Sequence, residues 1–202
     1  MIVIGITGSL ATGKSEVAKI LKKKGAHVFD ADRVARDVIR KGTPVYGAIL
    51  KIFGRGYLSA DGRINRKKLA AHVFNHPKDL DKLNTLIHPA VIVDCIRRIH
   101  GVKRKKGILV LDVPLLFESK MQNLADVTVV VSATPSRRAA RAIKKGISKK
   151  LGQKILKNQW PLKKKERLAD FVVYNNGSKA ELKRKVLRLL DEIKTKTNGG
   201  IE

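Results

Sequence analysis

The residues from Gly8 to Ser15 carry the clearest chemical signal in the sequence. Their spacing fits G-x-x-x-x-G-K-[ST], the phosphate-binding loop (P-loop) of nucleoside triphosphatases. Glycines permit the torsions and close approach that aim successive backbone N–H groups at an anion. We expect Lys14 to reach the β- and γ-phosphates and the Ser15 hydroxyl to bind Mg²⁺. The predicted nucleotide contacts are Gly8, Ser9, Leu10, Ala11, Thr12, Gly13, Lys14, Ser15 and Glu16.

The flanks of this loop supply the elements that the motif requires. The run from Met1 to Ile6 is apolar and β-branched, which predicts a strand buried on both faces. Residues 15–24 place apolar side chains at helical spacing, and Gly25 then supplies a helix stop. The alternative is a chance match in a glycine-containing turn. The strand and the helix favour phosphate binding instead.

Three aspartates follow other predicted strands, at the strand ends where α/β sheets bind ligands. Asp30 and Asp32 follow a strand predicted at residues 25–29. Asp32 could hold Mg²⁺ through water or accept the proton of an attacking hydroxyl. Because a helix starts at once, helix capping is the alternative, and one aspartate can cap while the other does chemistry. Asp112 ends a β-branched run at residues 107–112 and is a possible Mg²⁺ ligand through water.

From about residue 33 to residue 100 the pattern is helical, between the second and third predicted strands. Its longest helix is predicted to be interrupted at His88-Pro89. Inserts of this size in α/β domains usually bind the second substrate. His88 is therefore either a helix-breaking turn residue or a contact in the substrate pocket. A basic loop at residues 103–106 leads to the third strand.

A second helical segment begins at Thr134 and Pro135, a cap followed by a first-turn proline. It carries many Arg and Lys residues, and Arg137 and Arg141 share one face because they are four positions apart. Basic helix pairs of this kind close over phosphates in kinases and supply charge to the transferring phosphoryl group. For any single residue the alternative is a solvated, charged helix face. A strand at residues 170–174 and an amphipathic helix complete the chain.

Composition limits the partners and the compartment. The net charge of +27 on 202 residues could attract nucleic acid or small polyanions, or belong to a solvated, lysine-rich surface. Aromatic residues make up 4% of the chain, so stacking platforms are scarce and nucleic acid is disfavoured. Cys95 is the one cysteine, which suits a reducing cytoplasm. With neither a long apolar run nor a secretory signal, we expect no membrane association. We also expect either a monomer or a small homo-oligomer.

Seven sequence segments together resemble the dephospho-CoA kinase family, and they recur in order over nearly the whole chain. The combination of DAD, HP and DVPLLFE is much more specific than the P-loop alone. The matching segments are GITGSLATGKSEVAK, FDADRVARDVIRKGTP, IFG, DGRINRKKLAAHVF, LNTLIHPAV, VLDVPLLFE and KNQ…ADFVVYNNGS.

The resemblance implies an α/β fold: a P-loop NTPase with a nucleoside-monophosphate-kinase-like parallel five-stranded sheet, a helical substrate-binding insert and a helical lid. The implied core domain covers residues 1–32, 101–136 and 166–202, the acceptor-binding domain 33–100 and the lid 137–165. The implied reaction transfers the γ-phosphoryl group of ATP to the ribose 3′-hydroxyl of dephospho-CoA. Its products are coenzyme A and ADP, and it is the last step of coenzyme A synthesis.

The resemblance also implies roles for single residues. Asp32 is implied as the base for the 3′-hydroxyl. Arg141 in the lid and Lys14 in the P-loop are implied as the other catalytic residues. The acceptor-side motifs match at Asp32, Arg36, Arg66, His88, Pro114 and Leu115.

The chain also departs from the family pattern. The family often has arginine where this chain has Lys145 and Lys154, and lysine lacks the planar fork that grips phosphate. The run Leu10-Ala11-Thr12 stands in the loop where the family usually carries Gly-Ile-Gly-Ser. Two further hypotheses stay open from the residues: a kinase for another nucleotide or nucleoside, and a P-loop module that binds nucleic acid without catalysis.

Overall fold

The computed structural model of the chain describes residues 1–102 and 106–198, with no side-chain description for Asn198. Most of the basic loop expected at 103–106 therefore lies outside the described residues. The described chain divides into two compact units. We call residues 1–29 together with those from 99 onward the core unit, and residues 30–98 the insert unit.

A five-stranded parallel sheet forms the frame of the core unit, with strand order β2-β3-β1-β4-β5. Strand β1 is central, between β3 and β4, so its C-terminal end opens at the middle of the sheet edge. The registers pair Ile6 with both Asp112 and Val129. The strands are β1 Ile2–Gly8, β2 His27–Asp30, β3 Ile108–Asp112, β4 Val127–Ser132 and β5 Phe171–Tyr174. All five were predicted from the sequence, to within two residues at each end.

Nine α-helices lie in the described part of the chain, with short 3₁₀ turns at Arg55–Tyr57 and Met121–Leu124. The helices are α1 Lys14–Lys23, α2 Ala31–Asp37, α3 Pro44–Phe53, α4 Arg66–Val73, α5 Pro77–Val102, α6 Pro135–Lys144, α7 Lys149–Lys157, α8 Leu162–Leu168 and α9 Lys179–Asn198. The pattern did not predict α8, which lies across the expected boundary between lid and core at residues 165 and 166.

The hydrophobic core of the core unit is built from the sheet, α1 and α9. Strands β1 and β4 are buried almost throughout, as their unbroken runs of β-branched residues predict. Helix α1 contributes Val17 and Leu21, and α9 contributes an apolar stripe at helical spacing: Leu182, Val186, Leu189, Leu190 and Ile193. This packing fixes the start of α1 relative to the end of β1, and the P-loop joins those two ends.

The insert unit has a hydrophobic core of its own, formed by Ile39, Ile49, Ile64, Leu69 and Val73. Its helices begin with the side-chain caps that the sequence indicates. Thr43 accepts a hydrogen bond from the amide of Tyr46 at the start of α3. Asn65 does the same for Lys68 in α4.

Helix α5 corrects one expectation. An interruption at His88-Pro89 was predicted, but α5 is continuous for 26 residues with Pro89 inside it. Proline removes one helical hydrogen bond and crowds the preceding turn. These two effects bend or break a helix that lacks stabilising packing contacts on either side of the proline. Here apolar residues on both sides anchor the helix: Leu83 and Leu86 pack against the insert core, and Cys95 is fully buried. His88 is thus a helical residue and not a turn residue.

Candidate active site

The P-loop needs its glycines because neighbouring groups fill the space where a side chain would start. A β-carbon on Gly8 would lie 2.6 Å from Thr12 Oγ1 and 2.7 Å from the carbonyl oxygen of Val131. Gly13 has φ +99°, a left-handed conformation that L side chains rarely adopt, and it caps α1. The loop therefore runs directly into a helix N-terminus. The first amides of a helix lack partners inside that helix and can bind an anion.

Lys14 forms an ion pair with Asp112. Both side chains are largely shielded from solvent, at 14% and 9% exposure. Asp112 is the last residue of β3, adjacent to β1. The pairing across these two strands brings together the lysine and the aspartate that the sequence placed 98 positions apart.

Helix α6 places two arginines on the P-loop. Arg138 donates from Nε to the carbonyl of Leu10 at 3.1 Å and from Nη2 to Ser9 Oγ at 2.9 Å. Arg141 donates from Nη1 to the carbonyl of Thr12 at 3.1 Å. Both residues face the loop because they are three positions apart on a helix. The neighbouring Arg137 is exposed instead.

Two amide side chains complete this grip on the loop. Gln159 Oε1 accepts hydrogen bonds from Ser9 Oγ at 3.0 Å and from the amide of Leu10 at 3.2 Å. Asn175, which follows β5, donates from Nδ2 to the carbonyl of Thr12 at 2.8 Å. Its own carbonyl and side-chain oxygens accept from Arg141 Nη2. Residues 9–12 are thus held by groups from α6, the segment after α7 and the segment after β5.

A fully buried lysine lies behind the loop. Lys165, on α8, is 0% exposed and pairs with Glu118 at 2.8 Å. Its ammonium also donates to the carbonyl of Pro114 at 2.9 Å and contacts that of Gly8 at 3.5 Å. Burial lowers the pKa of Lys165, Glu118 raises it, and the charge of Lys14 lowers it again. The net effect is a lowered pKa for Lys165, with burial as the largest cause.

Ser15 and Asp112 offer the oxygen ligands that Mg²⁺ prefers. Ser15 stands at the second position of α1 with its side chain exposed, and Asp112 supplies a carboxylate at the end of β3. Among the described residues no group of three or more His, Cys, Asp or Glu side chains is arranged to hold a metal. Mg²⁺ usually takes one or two protein ligands and completes its shell with water and phosphate.

The insert unit contains a separate, strongly basic pocket of about 720 Å³. Arg36 and Arg66, predicted as acceptor-side residues, both line it. Arg40 is paired with Asp37 at 2.7 Å, and Arg63 with Asp61 at 3.3 Å. The complete lining is Arg33, Arg36, Asp37, Ile39, Arg40, Lys41, Arg63, Ile64 and Arg66. Within the described chain, Arg33, Arg36, Lys41 and Arg66 form no ion pair, so they remain available to an anion.

The two aspartates at the end of β2 and the start of α2 have different roles in the structure. Asp30 caps α2, because its Oδ1 accepts from the amide of Arg33 at 3.0 Å. Asp32 is the second residue of α2 and is exposed. Capping by Asp30 leaves Asp32 available for chemistry, the division that the sequence left open. His88 is half-buried on α5, and burial lowers its pKa.

The predicted residues therefore fall into two sets, one in each unit. The core unit contains the P-loop, Asp112, Arg141, Pro114 and Leu115, whereas the insert unit contains Asp32, Arg36, Arg66 and His88. Glu16 is exposed and pairs with Lys19, one turn along α1. The catalytic and binding roles of all these residues stay predictions.

Sequence reasoning missed several residues that the structure places at the two sites. In the core unit they are Arg138, Gln159, Asn175, Lys165 and Glu118. In the pocket they are Arg33, Arg40, Lys41 and Arg63. The spacing of Arg33, Arg36 and Arg40 along α2, and of Arg138 and Arg141 along α6, could have indicated shared faces. Gln159 and Asn175 lie in the family-matching segments KNQ and ADFVVYNNGS, but sequence reasoning gave them no site role.

Comparison with protein families gives one match over most of the chain. The family model described as dephospho-CoA kinase matches residues 2–181. A dephospho-CoA kinase of Carboxydothermus hydrogenoformans is 38% identical over 197 residues, which covers 96% of this chain and 95% of that protein. A dephospho-CoA kinase of Geobacillus kaustophilus is 37% identical over 191 residues, with 94% and 95% coverage.

Solved structures agree on the fold. A protein of Thermus thermophilus superimposes with a TM-score of 0.79 at 29% identity, over 95% of this chain and 97% of that one. A dephospho-CoA kinase of Campylobacter jejuni gives 0.72 at 23% identity, over 97% and 98%. A shikimate kinase of Bacteroides thetaiotaomicron gives 0.51 at 14% identity, over 96% and 98%. The last two similarities concern the fold alone, and they confirm the α/β P-loop kinase architecture predicted from the sequence.

Proposed function

The chain belongs to the dephospho-CoA kinase family, and we propose that its P-loop site carries out the reaction of that family. ATP phosphorylates the ribose 3′-hydroxyl of dephospho-CoA, giving coenzyme A and ADP as the last step of coenzyme A synthesis. The observation that carries the assignment to this site is the P-loop itself, which continues into α1 and is held by side chains from α6, from the segment after α7 and from the segment after β5. A kinase must fix a triphosphate in one position, because positioning and charge stabilisation do most of the catalytic work.

The chemistry is an in-line displacement at the γ-phosphorus. The 3′-oxygen forms a bond to phosphorus, the bond to the β,γ-bridging oxygen breaks, and the proton of the hydroxyl passes to Asp32. The loop amides and Lys14 stabilise the charge that develops on the phosphoryl oxygens. For that role Lys14 leaves its ion pair with Asp112 and binds the phosphates instead. Arg141, which holds the carbonyl of Thr12, adds positive charge from α6.

The metal ion belongs to this proposal. Ser15 and Asp112 are the residues that would hold Mg²⁺, Asp112 through water. When bound, Mg²⁺ would supply positive charge that offsets the negative charge developing as ADP leaves.

We assign the basic pocket of the insert unit to the acceptor. Dephospho-CoA carries a diphosphate, and the four cations that form no ion pair among the described residues, Arg33, Arg36, Lys41 and Arg66, match such a group. Guanidinium groups suit this task because their planar forks bind phosphate oxygens in pairs. His88, Pro114 and Leu115 are proposed as further acceptor contacts from the family motifs.

The direct test is ADP release from ATP and Mg²⁺, with and without dephospho-CoA. We expect release that depends on the acceptor, and turnover reduced about 10²- to 10⁴-fold in Asp32→Asn, since general-base contributions are of that size. Binding of ATP should be unchanged in that variant, because Asp32 lies outside the P-loop. Unchanged turnover would remove Asp32 from the mechanism. As a matched control, Asp81→Asn changes another exposed aspartate of the insert unit, on α5.

A panel of acceptors separates this proposal from its alternatives. A kinase for another nucleoside or nucleotide would prefer a different acceptor from the panel. A nucleic-acid-binding module would bind RNA or DNA with a steep salt dependence and show no acceptor phosphorylation. We propose that the +27 charge serves small anions and not nucleic acid, and that the enzyme works in the cytoplasm as a monomer or a small homo-oligomer.

A further inference from the structure

The ion pair between Lys165 and Glu118 takes no part in the chemistry described above, yet it lies directly behind the P-loop. Lys165 is fully buried, and the side chain of Glu118 is 12% exposed. Glu118 Oε1 accepts hydrogen bonds from Lys165 and from the amide of Trp160. Its Oε2 is buried and has no hydrogen-bond partner among the described residues. The pair is thus well shielded but incompletely satisfied.

Such a pair is a poor source of stability. Removing two charges from water costs free energy that their attraction recovers only when every lone pair and proton is satisfied. Well-packed residues without charge are often equally stable or more stable at such positions. Because Glu118 Oε2 has no hydrogen-bond partner among the described residues, we expect the attraction in this pair not to recover the full cost of burying its charges. The fold alone therefore gives little reason for a lysine at position 165.

What Lys165 does is connect the backbone of two segments that meet at the nucleotide site. Its ammonium contacts the carbonyl of Gly8, the first residue of the P-loop, and donates to that of Pro114. Pro114 stands two residues after Asp112, and its carbonyl also accepts from Thr7 Oγ1 at 3.0 Å. The ion pair between Lys14 and Asp112 joins the same two segments.

We propose that Lys165 is a positioning residue for phosphoryl transfer, which fixes the P-loop to the segment after β3 through the carbonyls of Gly8 and Pro114. Glu118 holds the ammonium in place and balances its charge. Lys165 touches no substrate in this proposal and acts through the backbone of the loop. The proposal rests on the P-loop as the ATP site.

The test compares wild type with K165M and with the double variant K165M/E118Q. The double variant removes both charges at similar volume and keeps an oxygen that can accept from the amide of Trp160. We expect it to fold with a thermal midpoint within a few degrees of wild type. Its kcat/KM for ATP should fall roughly 10- to 100-fold, because small misplacements of reacting groups have effects of that size. The KM for dephospho-CoA should change less than threefold.

The matched control is K185M/E181Q, which removes the exposed ion pair between α9 residues of the same unit. It should leave kcat/KM for ATP unchanged. Binding of ATP with Mg²⁺ is measured in parallel by calorimetry, so the result does not depend on the identity of the acceptor. If wild type binds ATP but ignores dephospho-CoA, the proposed reaction fails, while weaker ATP binding by K165M/E118Q still supports a positioning role.

Two results would overturn the proposal. One is a folded K165M/E118Q variant that binds and uses ATP as wild type does. The other is a double variant that does not fold, since that would assign the pair to stability. Loss of folding in K165M alone, with recovery in the double variant, supports the proposal when ATP use stays impaired.

Discussion

The P-loop and the basic pocket are both proposed to bind phosphate, but they are built in opposite ways. The P-loop is held by Arg138, Arg141, Gln159 and Asn175. Its binding groups are backbone amides, whose positions depend on those contacts. The pocket presents side chains, and four of its cations have no ion pair in the described part of the chain. A backbone cradle needs a rigid frame, whereas a pocket of long side chains can adapt to its ligand.

This difference predicts different kinetic effects for the two regions. Changes around the loop should reduce turnover and the use of ATP, because we propose that the altered groups face the transferring phosphate. Changes in the pocket should raise the KM for the acceptor and leave turnover nearly intact, because we propose that the pocket binds the part of the substrate that does not react.

The largest effect is expected for Lys14→Met. The variant loses the cation that we propose stabilises the transferring phosphate, and we expect turnover to fall about 10³-fold or more, the size of similar electrostatic contributions. Steady-state kinetics at saturating substrates measures the loss. Lys22→Met, exposed on the same helix, is the control and should be nearly silent. A mild effect at Lys14 would dismiss its role on the phosphates.

Arg138→Gln should have the next largest effect. It removes two charged hydrogen bonds to Ser9 and Leu10, and each such bond typically contributes about 1.5–3 kcal/mol. We expect kcat/KM for ATP to fall roughly 10- to 100-fold through a loosened loop. Arg137→Gln tests the exposed neighbour on α6 and should lower kcat/KM for ATP far less. Equal effects at both positions would show that α6 acts through overall charge and not through these contacts.

In the pocket, Arg36→Gln and Arg66→Gln should each raise the KM for dephospho-CoA about tenfold, the effect of losing one phosphate contact. Turnover at saturation should stay within a factor of about three. The wild-type KM should also rise with ionic strength, because exposed charges are screened by salt. Arg97→Gln, an exposed arginine on α5, is the control. A loss of turnover without a change in KM would place these arginines at the reaction and not in acceptor binding.

The smallest effect concerns stability and pH. Burial lowers the pKa of His88, so the folded protein takes up a proton there less readily than the unfolded chain does. Stability from neutral His88 is complete above the unfolded pKa, about 6.5, and is lost as the pH falls through the lowered folded value. His88→Gln should therefore flatten the acid side of a plot of urea midpoint against pH. His27→Gln, at an exposed position, should leave that slope as in wild type.

The sequence indicated the sheet reliably because its strands are uninterrupted apolar runs. The registers then placed Asp112 beside β1, and the pairing with Lys14 followed. Helix α8 and the uninterrupted α5 were not foreseen. Lysines dominate the pattern of α8, and Pro89 is a local signal for a break that packing on both sides overrides. Local propensity is a weak guide wherever distant residues determine the packing.

The sequence by itself determined the P-loop, its place between a strand and a helix, and the family to which the chain belongs. Those features depend on residues that are neighbours in the chain, where spacing alone fixes geometry. Only the tertiary structure decided which arginines hold the loop, that Lys165 is buried behind it and that Arg36 and Arg66 share one pocket. These groups come from segments far apart in sequence. Packing of the helices and strands brings them together, and no local spacing encodes that arrangement.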